Sequence, residues 1–206
     1  MRTVIYETHP DNPNPRAIQK AIEALERGEL IAYATDTVYG LGCDIHSKAA
    51  MERALTLKGY SKYHSLSFLC ADLSDISNYA KVENRVYKMM KRCLPGPYTF
   101  ILPASRDVPK LLLTKQKTVG LRVPDHPVCR DLLKAFGRPI LSTSVTDRDG
   151  DPMLDPSEIL HHWGDTISVI LDSGILDSQP STIVDCTDSD DFVILREGKG
   201  DISLIY

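Results

Sequence analysis

The sequence contains no C-x-x-C pair. Its five cysteines (Cys43, Cys70, Cys93, Cys129 and Cys186) are scattered and odd in number. That pattern excludes a zinc knuckle and a disulfide framework, and reduced cytosolic thiols are the simplest reading. No apolar run reaches membrane-spanning length. The opening Met1–Glu7 lacks the apolar stretch of a signal peptide. The expectation is a cytoplasmic protein without a membrane partner. Also missing are G-x-x-x-x-G-K-[ST], G-x-G-x-x-G, G-x-S-x-G and H-E-x-x-H, and no cysteine has an evident histidine partner. These absences exclude most familiar hydrolase and dehydrogenase mechanisms. No linker, repeat or low-complexity tract divides the 206 residues, so residues 1–206 read as one domain.

What is present is ordinary globular composition, 42% hydrophobic and 25% charged, with a net charge of −4. The balance is uneven. Residues 81–130 carry eleven Lys or Arg against three Asp or Glu, and residues 147–206 carry three against fourteen. A basic middle could offer a face to phosphates, or it could be a set of solvated helix faces.

Strand and helix patterns interleave. Asn14-Pro15 opens a helix with Ile18, Ala21, Ile22 and Leu25 on one face and Gly28 as its stop. A buried strand covers 30–35, a helix runs from Ser47 to about Lys58-Gly59, and an alternating strand spans 65–70. A short helix after Ser74 and a longer one over 83–93 precede the breaker Leu94-Pro95-Gly96-Pro97. Strands at 98–102 and 118–123 lead to a helix over 127–136 and a strand over 139–144. Asp155-Pro156-Ser157-Glu158 starts another helix, and strands follow at 167–171, 182–186 and 192–195. The class is α/β, with antiparallel pairing near the C-terminus.

Several of these strands end in polar groups. Ala34-Thr35-Asp36-Thr37-Val38-Tyr39-Gly40-Leu41-Gly42 follows the strand at 30–35. Its hydroxyls and carboxylate could hold a small polar molecule, with the glycines allowing close backbone approach; the same residue types also build plain turns. Lys58-Gly59 reads as a helix stop or as a lysine reaching a phosphate. Leu141-Ser142-Thr143-Ser144 and Pro180-Ser181-Thr182 end in hydroxyls, and Arg196 closes the last strand with a guanidinium able to clamp a phosphate. Asp147-Arg148-Asp149-Gly150-Asp151 lacks the full calcium-loop pattern, and His161-His162-Trp163 reads as helix surface, so no metal site is expected.

These segments, taken in order, resemble the YrdC/YciO family, whose best-known members are threonylcarbamoyl-AMP synthases of tRNA modification. The markers are A-T-D-T-V-Y-G-L-G-C-D (34–44), L-K-G-Y (57–60), L-P-G-P-Y-T-F (94–100), T-V-G-L-R-V-P-D-H-P (118–127), L-S-T-S (141–144), P-S-T-I-V-D (180–185) and L-R-E-G (195–198). The resemblance implies a single domain with a twisted mixed parallel/antiparallel sheet and flanking helices around a positively charged cavity. It implies L-threonine binding by Thr37, Arg122, Ser142 and Ser181, and nucleotide binding by Lys58, Thr118, Ser144 and Arg196. Lys58 and Arg196 are the implied catalytic residues. The implied reaction joins L-threonine and bicarbonate into a carbamate that attacks the α-phosphate of ATP. Magnesium accompanies ATP as part of the substrate, and no tightly bound cofactor is expected. Double-stranded RNA or tRNA is a further partner the resemblance suggests.

Two positions depart from the synthase pattern. The K-x-R motif has Tyr60 at its third position, and S-x-N becomes Ser144-Val145-Thr146. With the opening His9-Pro10-Asp11-Asn12-Pro13, these place the chain nearer the YciO branch. Lys62 or Arg148 could supply the missing charge. The alternative function is an RNA- or nucleotide-binding protein without efficient synthesis.

Overall fold

A computed structural model describes residues 2–57, 66–113, 116–177 and 179–206. Its strands are β1 (Val4–Glu7), β2 (Leu30–Tyr33), β3 (Gly40–Asp44), β4 (Ser67–Leu69), β5 (Tyr98–Pro103), β6 (Thr118–Arg122), β7 (Ile140–Ser144), β8 (Ile167–Asp172), β9 (Thr182–Asp185) and β10 (Val193–Arg196). The helices are α1 (Pro15–Glu26), α2 (Lys48–Leu57), α3 (Leu73–Tyr79), α4 (Asn84–Cys93), α5 (Pro127–Phe136) and α6 (Pro156–Trp163). All ten strands form one sheet in the order β1-β8-β2-β3-β7-β4-β6-β5-β9-β10. The sheet is mixed: β1/β8, β2/β8, β4/β6 and β5/β9 pair parallel and the other neighbours antiparallel, including β9/β10, as the C-terminal pattern predicts.

Local chemistry explains the helices. The Asn14 side chain accepts the Arg16 amide, Pro15 takes the first helical position, and the predicted apolar face of α1 is buried. Asp72 rather than Ser74 caps the short α3. The α5 helix is capped by His126 and ends at Gly137 in the left-handed region, φ 71°. Asp155 caps α6 as its sequence signature predicts.

Two elements differ from the sequence pattern. β1 is a four-residue edge strand without strong alternation. β3 begins at Gly40, inside the segment that reads as a strand-end loop. It folds back antiparallel on β2, with Tyr33 opposite Gly40 and Ile31 opposite Gly42. A Cβ on Gly42 would lie 2.6 Å from Tyr33 Cε1 and 2.7 Å from Ile140 Cγ2. These glycines make room for the Tyr33 ring within the protein.

The sheet separates two cores. On one face, α1 and α5 pack over Ile31, Tyr33, Leu69, Ile140, Val169 and Leu171. On the other, the larger cluster joins α2, α4 and α6 to the alternate residues of the same strands, such as Ala32, Phe68 and Leu141. Strand β4 is therefore buried on both faces rather than half-buried. Among the described residues, no helix is long and apolar enough to cross a membrane.

All five cysteines are free and buried. Burial pushes the Cys43 and Cys186 thiols up to about 12 and Cys93 up to about 11, and it raises Cys70 and Cys129 as well. Thiolate is the reactive form. The folded protein should therefore leave Ellman's reagent unconsumed at pH 8, whereas denaturant should release five thiols per chain. Rapid labelling under native conditions would contradict this packing.

Candidate functional site

The α1–α5 pair covers only half of its sheet face. The other half, over β6, β5, β9 and the ends of β4 and β7 that carry Ser67 and Ser142, lies outside the α1–α5 cluster, with Leu57 of α2 and Trp163 of α6 beside it. The residues there are small. Register places Ser142 opposite Ser67, and Ser67 opposite Gly120. This row of short side chains is the floor of a cavity of about 700 Å³, walled in part by Arg122, Thr99, Ser144, Ser181 and Arg196. An adjoining hollow of about 620 Å³ is more apolar, with Phe68, Ile101, Leu141 and Leu195, and contains Thr118 and Gln116. Leu66, Thr99 and Ile183 line both.

Each predicted residue can now be placed. Arg122, at the C-terminal end of β6, is buried, and its Nη2 donates to Asp36 Oδ1 at 2.8 Å and to Thr37 Oγ1 at 3.1 Å. Its Nε is buried with no hydrogen-bond partner among the described residues. A buried guanidinium N–H without a partner is costly. Thr37 reaches the site through Arg122 rather than as part of the cavity wall. Ser142 receives the Tyr33 hydroxyl at 2.8 Å, which orients its own hydroxyl. Ser181 Oγ lies 2.9 Å from Thr99 Oγ1.

Arg196 caps β10 and folds over the start of β9. Its Nε and Nη2 donate to the Ser181 carbonyl at 3.0 and 2.8 Å, and Nη2 also donates to Ser181 Oγ at 3.1 Å. Gly198 permits this: a Cβ there would collide with the Pro180 carbonyl oxygen. Among the described residues, no carboxylate forms an ion pair with Arg196. Partial burial and the neighbouring Arg122 guanidinium both push its pKa down. Three arginines, Arg122, Arg148 and Arg196, thus line one hollow, and among the described residues only Arg122 of the three pairs with a carboxylate, an arrangement that favours an anionic ligand.

The structure brings Arg122, Ser142, Ser144, Ser181 and Arg196 to one cavity, with Thr118 in the adjoining hollow. Lys58, Tyr60 and Lys62 lie outside the described residues; Leu57, just before Lys58, lines the cavity. Gly42 departs from the expectation of backbone approach to a ligand, because Tyr33 and Ile140 fill its space, whereas Gly40 lines the cavity.

Asp36 has a different task from the one its sequence position suggests. Its carboxylate binds Arg122 through Oδ1 and the Asp125 amide through Oδ2 at 3.1 Å, and its carbonyl accepts Lys199 Nζ at 2.9 Å. Asp36 therefore ties its own loop to the end of β6 and to Lys199. Tyr33 and Thr99 escaped sequence reasoning because one reads as core and the other as an ordinary strand residue. The acidic cluster at 147–151 is explained locally: Asp147 Oδ1 accepts the amides of Asp149, Gly150 and Asp151. The basic stretch is partly engaged too. On α4, Arg85 pairs with Asp190 at 3.2 Å and lies over the Phe192 ring, while Arg92 donates to the Leu204 carbonyl.

A family model for Sua5, YciO and YrdC, described as "Telomere recombination", matches residues 23–198. The uncharacterized protein YciO of Escherichia coli K12 is 42% identical over 96% of both chains. Its crystal structure superposes with a TM-score of 0.94 over 99% of this chain and all of that one, at 40% identity. The threonylcarbamoyl-AMP synthase of Vibrio vulnificus YJ016 is 32% identical over 88% of this chain and 98% of its own. P. abyssi Sua5, crystallised with L-threonine, is 29% identical with a TM-score of 0.86, over 95% of this chain and 58% of that one. A mixed sheet bearing serines and two guanidiniums at its strand ends, with these likenesses along nearly its whole length, shows that the chain belongs to the Sua5/YciO/YrdC family.

Proposed function

We propose that the cavity binds L-threonine beside magnesium–ATP and forms threonylcarbamoyl-adenylate, the precursor of a tRNA threonylcarbamoyladenosine modification. The observation that carries this reading is the meeting of Arg122, braced by Asp36, and Arg196, without a carboxylate partner among the described residues, in one hollow lined by serines. A threonine carboxylate would pair with Arg122, and the serine hydroxyls would receive its polar groups. Sua5 of P. abyssi was crystallised with L-threonine, which supports that ligand class.

In this reading bicarbonate and the threonine amine condense to a carbamate. Its oxygen attacks the α-phosphorus of ATP, the α–β bond breaks, and pyrophosphate leaves. In this reading Arg196 offsets charge growing on the α-phosphate. Lys58 is assigned the same task on the sequence resemblance. The chemistry needs no protein nucleophile; it needs positioning and charge.

The test is pyrophosphate release from ATP with L-threonine and bicarbonate. Threonine-dependent release is expected, falling about 10²–10³-fold in Arg196→Ala, the scale for removing one preorganised donor. An absence of turnover at high enzyme concentration, with salt-sensitive binding of double-stranded RNA, would replace this reading with that of a nucleic-acid-binding module.

A further inference from the structure

We propose that Arg148 binds the terminal phosphates of the nucleotide; this rests on the ATP-dependent reading above and assigns a role to a residue outside the motifs that define the site. Arg148 lines the same cavity as Arg122 and Arg196, but it does so from the exposed loop between β7 and α6. Among the described residues it forms no ion pair with a carboxylate.

The loop that carries Arg148 is anchored at several points. Its two ends meet at the Thr146–Pro152 bridge. Asp147 N donates to the Asp151 carbonyl at 2.9 Å, and Asp147 Oδ1 collects three further amides. The Trp163 indole on α6 donates to the Thr146 carbonyl at 2.9 Å, and the Val145 amide donates to the Tyr39 carbonyl at 2.8 Å. A cation mounted this way loses less freedom on binding than one on an unanchored loop.

Geometry then divides the cavity. The amino acid belongs beside Arg122. The α-phosphate must be within reach of it, next to Arg196. The apolar hollow containing Thr118, Phe68 and Ile101 suits a base and lies toward β5 and β6. Among the described residues of the remaining wall, Arg148, beside Ser144 and Thr146, is the cation left for the β- and γ-phosphates. Arginine matches phosphate oxygens bidentately, which a lysine does not. Asp149 lines the same mouth and opposes this charge. Asp147 lines it as well, with one carboxylate oxygen committed to backbone amides.

Calorimetric titration of wild type, Arg148→Ala and Arg148→Lys with ATP, AMP and L-threonine tests the assignment. Arg148→Ala should weaken ATP about tenfold, as expected for losing a charge-assisted contact, while AMP and L-threonine are unchanged. Arg148→Lys should recover only part of the loss. Unchanged ATP affinity in Arg148→Ala would overturn the proposal, as would equal losses for ATP and AMP. A wild type that binds L-threonine but no ATP would overturn the ATP-dependent reading itself. That outcome is seen without any variant and takes this inference with it. Retained threonine affinity in Arg148→Ala shows that the variant is folded.

Discussion

Arg122→Ala should abolish measurable L-threonine binding, with a loss of at least about 100-fold, while ATP binding changes far less. The magnitude follows from removing charged hydrogen bonds in a buried site, about 3 kcal/mol. The variant has a second consequence. The Asp36 side chain is slightly more buried than that of Arg122, 8% against 11% exposed, so removing the guanidinium strands a carboxylate. Breaking a buried pair from one side costs about 3–5 kcal/mol. A drop in threonine affinity could then be attributed to damaged folding. The double variant Arg122→Ala/Asp36→Asn separates the two effects, since the amide oxygen can still accept from Asp125 N while no charge is left unpaired. Chemical unfolding should show the double variant more stable than Arg122→Ala, and calorimetry should show threonine binding still absent. Recovery of threonine binding in the double variant would mean that Arg122 only braces Asp36.

The second large effect is on stability. Gly42→Ala should lower it by about 1–3 kcal/mol, the range for overpacking a well-filled core, and Gly42→Val should lower it further. The reason is the contact set: a Cβ at this position meets Tyr33 Cε1 at 2.6 Å, Ile140 Cγ2 at 2.7 Å and the Tyr33 hydroxyl oxygen at 3.0 Å. Tyr33 is fully buried and holds Ser142, so displacing its ring should also weaken threonine binding. In Tyr33→Ala the same Gly42→Ala change should cost markedly less, because the opposing ring is gone. Urea midpoints for the four proteins give this coupling directly. A neutral Gly42→Ala in the wild-type background would mean the ring does not occupy that space.

Much of the architecture is legible in the residues. The α1 and α6 starts are written in side chains that cap helices locally, Asn14-Pro15 and Asp155-Pro156, and local hydrogen bonds need no distant partner. The buried strands β2 and β7 announce themselves as short apolar runs. The polar ends of those strands are equally visible, and the family resemblance placed Arg122, Ser142, Ser144, Ser181 and Arg196 in one site. β3 was hidden because a strand that begins Gly-Leu-Gly has neither alternation nor β-branched residues. Its glycines are explained only by a tyrosine that the fold brings across from β2.

By itself, the sequence determined the α/β class, most element positions and the polar groups at strand ends, because these depend on neighbours within a few residues. Only the tertiary structure decided that Asp36 neutralises Arg122, that Arg196 has no such partner among the described residues, and that Arg148 shares their cavity. The Asp36–Arg122 pair alone spans 86 positions, and burial and charge pairing arise from distance in space, which the strand order of the sheet sets.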